Sequence, residues 1–309
     1  MTDNLAKSLT KWQSLDSLLS YFRDESRCRK FLLSSLYPEG LRCPYCGGVV
    51  IYECGAIYHC DECNRNFTVK VNTIFHSTKL PLRKWFAALW LTLNNKKGIS
   101  AAMLSREIGV TYTTAWHMLH KIRRTLSQST TPMSGQVQVD AAYVGGQLRW
   151  IAHKPEGYNR GDYLRNKISV LGLSGDRLVM KAIPEGNWRS IRPILKDYLS
   201  DDAVIFSDQG QEFMRIGKEL HLIHAVVNHD IRQFTSPDGA TTNRIEGAWS
   251  HLKRHQRGIY HKLTRAYAQV YIDEFVYRWN ARNLSVSDRM RAYMPNVRVK
   301  VTWKELKVT

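Results

Sequence analysis

The stretch QVQVDAAYVGG at residues 136–146 alternates apolar and polar side chains as a short β-strand does, and Asp140 ends its apolar run. Working outward toward the C-terminus, KISVLGLS (167–174) and DRLVMKAI (176–183) read as two more strands separated by turn residues. A helix is expected over about 188–199, and AVIFSD (203–208) reads as a fourth, buried strand ending in Asp208. A last helical block, about 263–281, places Tyr267, Val270, Tyr271, Phe275 and Trp279 along one stripe that suits a core better than a base-stacking platform. Strands followed by alternating helices and strands indicate an α/β domain, here spanning 134–285.

Toward the N-terminus, QSTTPMSG (128–135) is small and polar and reads as a linker. Before it, residues 98–124 read GISAAMLSREIGVTYTTAWHMLHKIRR. Leu104 and Ile108 would face inward on a first helix, Gly109 can take the left-handed conformation of a tight turn, and Ala115 and Met118 would face back from a second helix. This is the spacing of a helix-turn-helix, whose second helix enters the major groove; an all-α DNA-binding domain is expected over 80–127. The exposed side of its second helix would carry Thr111, Thr113, Thr114, His117, Lys121, Arg123 and Arg124, hydroxyls and cations that suit base edges and phosphates. A plain helical hairpin with a solvated basic face has the same pattern.

Residues 41–75 change character around Cys43-x2-Cys46 and Cys60-x2-Cys63, whose inner members are separated by thirteen residues. Each CxxC pair brings two thiolates to one ion, and four sulfurs make a closed, structural Zn2+ site rather than a catalytic one. Two pairs at this separation argue against a redox motif. Cys28 sits at helical spacing with Phe31, Leu32 and Leu36, so it belongs to the core of the N-terminal helices in 1–40. The remaining segment, 286–309, reads as a basic C-terminal tail that could follow a phosphate backbone or be solvated.

Composition narrows the partners. Forty-five Lys and Arg against twenty-seven Asp and Glu leave a net charge of +18, which attracts polyanions without distinguishing DNA from RNA. No run of about 18 apolar residues suggests a membrane span. The opening MTDNLAKSLT lacks the apolar stretch of a signal peptide, so a cytoplasmic location is expected.

Three carboxylates are candidates for holding metal. Phosphodiester cleavage needs an attacking oxygen activated and a leaving oxygen stabilised, which two divalent ions on carboxylates accomplish; hard oxygen ligands suit Mg2+. Asp140 and Asp208 end apolar strands, where a carboxylate is costly unless something binds it. Glu246 stands in TTNRIEGAWSHLKRH (241–255), with Lys253 seven residues on, just short of two helical turns, where it could grip a neighbouring phosphate. Asn243, one turn before Glu246, could add an oxygen ligand; equally, Asn243 could cap the helix with Glu246 completing a capping box. Asp140 and Asp208 could be turn or strand-end residues. Glu274 is the alternative third carboxylate.

The order CPYCGG (43–48), YHCDECNRNFTV (58–69), TIFHSTKLPLRKWFAALW (73–90) and KKGISAAMLSREIGVTYTTAWHMLHKIRR (96–124) closely resembles bacterial insertion-sequence transposases with an N-terminal zinc ribbon. VDAAYVGG, FSDQGQEF, TNRIEGAWSHLKR and YIDEFVYRWNAR resemble the catalytic domain of that family. The similarity runs from about residue 15 to 285. It implies a multidomain chain: small helices and zinc ribbon, then a helix-turn-helix, then an α/β ribonuclease-H-like core with a DDE triad and Mg2+ (or Mn2+). The triad falls on Asp140, Asp208 and Glu246, with Lys253 following; the family varies between Asn and Glu at the third position, which keeps Asn243 in play. Ala141 stands where members commonly carry Glu, and Thr241 where a His often occurs. Implied partners are double-stranded DNA, as transposon ends and target, and a second copy in a homodimer or higher assembly, acting at the nucleoid. A non-catalytic DNA-binding regulator and a ribonuclease-H-like nuclease are the alternative functions.

Overall fold

The computed structural model describes residues 12–145, 167–207, 211–226, 241–261 and 263–306. The chain divides into two compact units, Met1–Ser127 with Ala281–Thr309, and Gln128–Asn280.

The first unit starts with helices α1 (Leu15–Tyr21) and α2 (Glu25–Leu36), capped by Ser14 and Asp24, whose side chains accept from Ser17 and Arg27 N–H. Trp12, Phe22 and Phe31 pack tilted or edge-to-face, and Phe86 of α3 (Leu82–Asn94) joins them. Cys28 is fully buried among these helices, and burial pushes its thiol up to about 12. Pro81 offers α3 no side-chain cap, so the Glu25 carboxylate takes the Leu82 N–H. Strands β1 (Ile51–Cys54), β2 (Ile57–Cys60) and β3 (Arg65–Phe67) form an antiparallel sheet in that order. Helices α4 (Ala101–Ile108) and α5 (Tyr112–Arg124) meet at Gly109, whose φ of 61° is the left-handed cap the turn requires.

The expected basic tail is no tail. Residues 286–306 form a helix Val286–Tyr293, a 3-10 turn Met294–Val297 and a short helix Trp303–Leu306. Met290, Tyr293, Met294, Val297, Val301 and Leu306 are all buried. Tyr293 shares a 2.6 Å hydroxyl bond with Thr125, and Val297 C=O accepts from Ile74 N–H. Apolar residues spaced between the cations drive this burial, so the regions expected as 1–40, 41–75 and 80–127 close into one unit with the chain's end.

The second unit is built on β4 (Gln136–Val144), β5 (Ile168–Ser174), β6 (Leu178–Ile183), β7 (Val204–Ser207) and β8 (Ile223–Val226), in the order β6-β5-β4-β7-β8. β4, β5 and β6 pair antiparallel; β7 runs parallel to β4, and β8 parallel to β7. Val137, Val139, Leu171 and Leu173 bury one sheet face against Ile191, Leu195 and Tyr198 of α6 (Trp188–Tyr198), together with Phe213 of α7 (Gln211–Glu219). Val170, Met180 and Val144 bury the other against Ile245, Ala248, Trp249 and Leu252 of α8 (Asn243–His255) and Ile272, Phe275 and Val276 of α9 (Arg265–Asn280). Alternation along the strands puts successive residues on opposite faces and so makes a three-layer α/β/α arrangement. The stretch expected as a linker is docked here: Met133 is buried and bridges to Leu199, and Gln128 bonds both backbone groups of Met180. One buried side chain and one amide suffice to hold a polar segment in place.

Candidate functional site

In the first unit, the sulfurs of Cys43, Cys46, Cys60 and Cys63 all lie within 4.8 Å of one another. Cys43–Cys63 and Cys46–Cys60 are 3.7 and 3.6 Å apart. At a Zn–S length of about 2.3 Å a tetrahedral edge is about 3.8 Å, so this donor set fits zinc. Tyr45 N–H and Gly48 N–H point at the Cys43 and Cys46 sulfurs, and Gly47 takes the positive φ the knuckle needs. The thiols ionise unequally. Burial opposes the Cys43 thiolate, but N–H donors prevail and bring it to about 7; burial and the neighbouring thiols push Cys63 up to about 12. A dication is what lets such a cluster hold four thiolates together. Cys54 stands apart, exposed at the end of β1, and His59 is engaged with Asn66 on β3.

The expected recognition face on α5 is only partly open. Thr111 caps the helix, accepting from Thr114 N–H, and the two hydroxyls are 2.9 Å apart. Thr113 is exposed. His117 instead lies edge-on against Trp303 from the C-terminal segment. Lys121 donates to Ile74 C=O, and burial lowers its pKa. Arg123 is buried, which corrects its placement on the outer face; Arg124 is exposed and donates to Glu305 C=O. The cations of the last turn therefore hold the unit together. Tyr112, 59% exposed beside the cap, is the residue the sequence reading passed over.

The second unit sets the helix that bears the third expected carboxylate against the strand that bears the first. Asp140 is half-buried on β4; its Oδ1 accepts from Ala141 N–H at 2.7 Å and its Oδ2 from the Trp249 indole N–H at 2.8 Å. Trp249 lies one turn beyond Glu246 on α8. The exposed Glu246 carboxylate accepts the Thr242 hydroxyl at 2.7 Å. Thr242, not Asn243, is the cap residue of α8, so the capping-box alternative for Asn243 and Glu246 does not form. Asn243 and Lys253 are exposed on the same helix. Asp208 lies outside the described residues; β7 is described to Ser207, with Phe206 in register opposite Gln138 in parallel β4. Glu274 is excluded as an alternative carboxylate: it is fully buried, paired with Arg278 and bonded by Tyr260.

Sequence reading also missed Gln138. Buried between Val137 and Val139, its Oε1 accepts the Ile245 N–H in the first turn of α8. An amide inside an apolar strand needs a partner, and that was the available clue. Among the described residues no helix is long and apolar enough to cross a membrane.

Comparison with known proteins follows this division. Residues 132–280 match the ISXO2-like transposase domain. A relative described as an uncharacterized protein in transposable element ISH50 of Halobacterium salinarum is 25% identical over 233 residues, 70% of this chain and 78% of that protein. That host is an archaeon, so a bacterial setting does not follow from kinship. Among solved structures, the simian T-cell lymphotropic virus intasome in complex with PP2A regulatory subunit B56 gamma aligns at 13% identity and a TM-score of 0.26. The alignment covers 58% of this chain and 62% of that one, so the chain spans less than two thirds of its length. Residues 132–280 thus match an ISXO2-like transposase domain, and this match together with the ISH50 relative supports an insertion-sequence transposase.

Proposed function

We propose that this protein binds the terminal inverted repeats of its own element and catalyses DNA cleavage and strand transfer, with Asp140, Asp208 and Glu246 as ligands for Mg2+ or Mn2+. The observation that carries the reading is the joint between Asp140 and α8, which places the helix bearing Glu246 against the strand bearing Asp140. The five-stranded mixed sheet between helical layers supports a ribonuclease-H-like core. Bound divalent ions would activate the attacking oxygen and stabilise the leaving one. Asp140 and Glu246 supply the hard oxygen donors such ions prefer, Asn243 stands one turn before Glu246, and Lys253 offers a cation to an adjacent phosphate. The zinc ribbon and the helix-turn-helix would recognise the ends, drawn by the charge of +18. Joining two ends calls for two sites, hence a dimer or higher assembly working on DNA in the cytoplasm.

The test is cleavage and joining of the DNA that flanks this gene, in Mg2+, by the wild type, Asp140→Asn, Asp208→Asn and Glu246→Gln. Activity confined to the wild type, with end binding kept by all four, is the expected result. Full activity in any variant removes that residue from the triad. End binding without cleavage by the wild type supports the regulator, and cutting of RNA hybrids or branched DNA without element ends supports the nuclease.

A further inference from the structure

We infer that Trp249 is a positioning residue that orients the Asp140 carboxylate and sets the register of the helix carrying Glu246; the inference rests on the reading of Asp140 and Glu246 given above. The indole N–H reaches Asp140 Oδ2 at 2.8 Å while the ring is 4% exposed, packed in the core between the sheet and α8. A buried indole donates one hydrogen bond and accepts none, so its direction is fixed once the ring is packed.

The room for that ring is built into the sheet. Gly172 is the register partner of Asp140 on β5. A Cβ at Gly172 would stand 2.7 Å from Trp249 Cζ2 and 2.7 Å from Ile245 Cδ1. Glycine is therefore the residue that lets α8 approach closely enough for the indole to span to the neighbouring strand.

A second bond makes the contact a register lock. Ile245 N–H donates to Gln138 Oε1 at 3.0 Å, and Gln138 is buried. Gln138 and Asp140 are two apart on one face of β4, while Ile245 and Trp249 are four apart on α8. Two residues of strand advance about 6.6 Å and four residues of helix about 6 Å, so the spacings match. With the helix pinned at both points, Glu246 between them cannot slide along β4 without breaking one bond. Partners that orient a metal-binding carboxylate typically change metal affinity or activity by about 10- to 100-fold when removed.

The experiment uses the full chain and Trp249→Phe, which keeps an aromatic ring and removes the N–H. Mn2+ binding is measured by electron paramagnetic resonance, beside thermal unfolding, end binding and the Mg2+ dependence of cleavage. The expected result is an about 10- to 100-fold weaker Mn2+ affinity, with cleavage shifted to higher Mg2+ and end binding unchanged. Gly172→Ala, which displaces the indole without deleting it, should weaken Mn2+ binding in the same direction and serves if Trp249→Phe does not fold. Wild-type Mn2+ affinity and Mg2+ dependence in a folded variant of either kind overturn the inference. Asp140→Asn separates the two layers. If it abolishes Mn2+ binding and cleavage while Trp249→Phe changes neither, the active-site reading stands and the positioning role falls. If Asp140→Asn binds Mn2+ and cleaves as the wild type does, both fall.

Discussion

Individual carboxylates in the second unit illustrate how burial sorts acids into different jobs. Asp140 and Glu246 keep partial or full exposure, Asp140 accepting from Ala141 N–H and the Trp249 indole and Glu246 from the Thr242 hydroxyl, whereas Glu274 is sealed beside Arg278 and Tyr260. Asp273 lies between. Burial raises its pKa, and the Gln128 and Gln269 amides, donating at 2.6 and 2.8 Å, hold it partly down. With the folded pKa above the unfolded one, ionised Asp273 costs stability at neutral pH, and this cost disappears as pH falls through the folded value toward the ordinary carboxylate range. Asp273→Asn should therefore be the more stable protein at pH 7, by a margin that shrinks on acidification. Denaturant unfolding across that range checks it, and a margin that is flat or grows toward low pH contradicts the argument. The spacing of acids in the sequence shows which could converge but not which are buried, because burial depends on the helix laid over them.

Among the elements, α5 shows most clearly how neighbours redefine a surface. Its N-terminal end, with Thr113 and Tyr112, is open, while His117 at mid-helix meets Trp303 and the last turn is engaged with Ile74 and Glu305 of the same unit. Tyr112→Ala should weaken end binding by about 1–3 kcal/mol, the range of a side chain reading a base edge, with unfolding little changed. Arg123→Ala should do the opposite, lowering stability because the buried guanidinium side is emptied. Fluorescence anisotropy with element ends, beside thermal melts, separates the two; equal loss of binding in both at full stability would restore the original outward face. The inward face of the motif was legible, since Leu104, Ala115 and Met118 are buried at helical spacing and Gly109 has the required φ. The four-cysteine cluster was legible for the same reason: its thiols lie in two local turns.

At the scale of the whole molecule, the chain's end completes its beginning. Residues 281–309 belong with 1–127, and 128–280 form the other unit. A fragment of residues 128–280 should unfold cooperatively by itself. Deleting 281–309 should destabilise the first unit by several kcal/mol, since each large buried apolar side chain contributes about 1.5–3 kcal/mol and Met290, Tyr293, Val297 and Leu306 would all be lost. Calorimetry of the truncated chain checks this; an unchanged first transition would show the tail to be dispensable.

The sequence by itself determined what repeats at short range. Strand alternation in 136–146, the two CxxC pairs and the helix–glycine–helix spacing each depend on residues a few positions apart, whose geometry the backbone imposes. Strands β4 to β7 and the four cysteines were therefore readable, while the edge strand β8 (Ile223–Val226) was not. Tertiary structure alone decided the rest. That Gln138 and Asp140 are held by Ile245 and Trp249, and that Tyr293 of the basic tail is buried against Thr125, are contacts between residues more than a hundred positions apart. No local period encodes them, because they arise only when complementary apolar faces from distant segments close on one another.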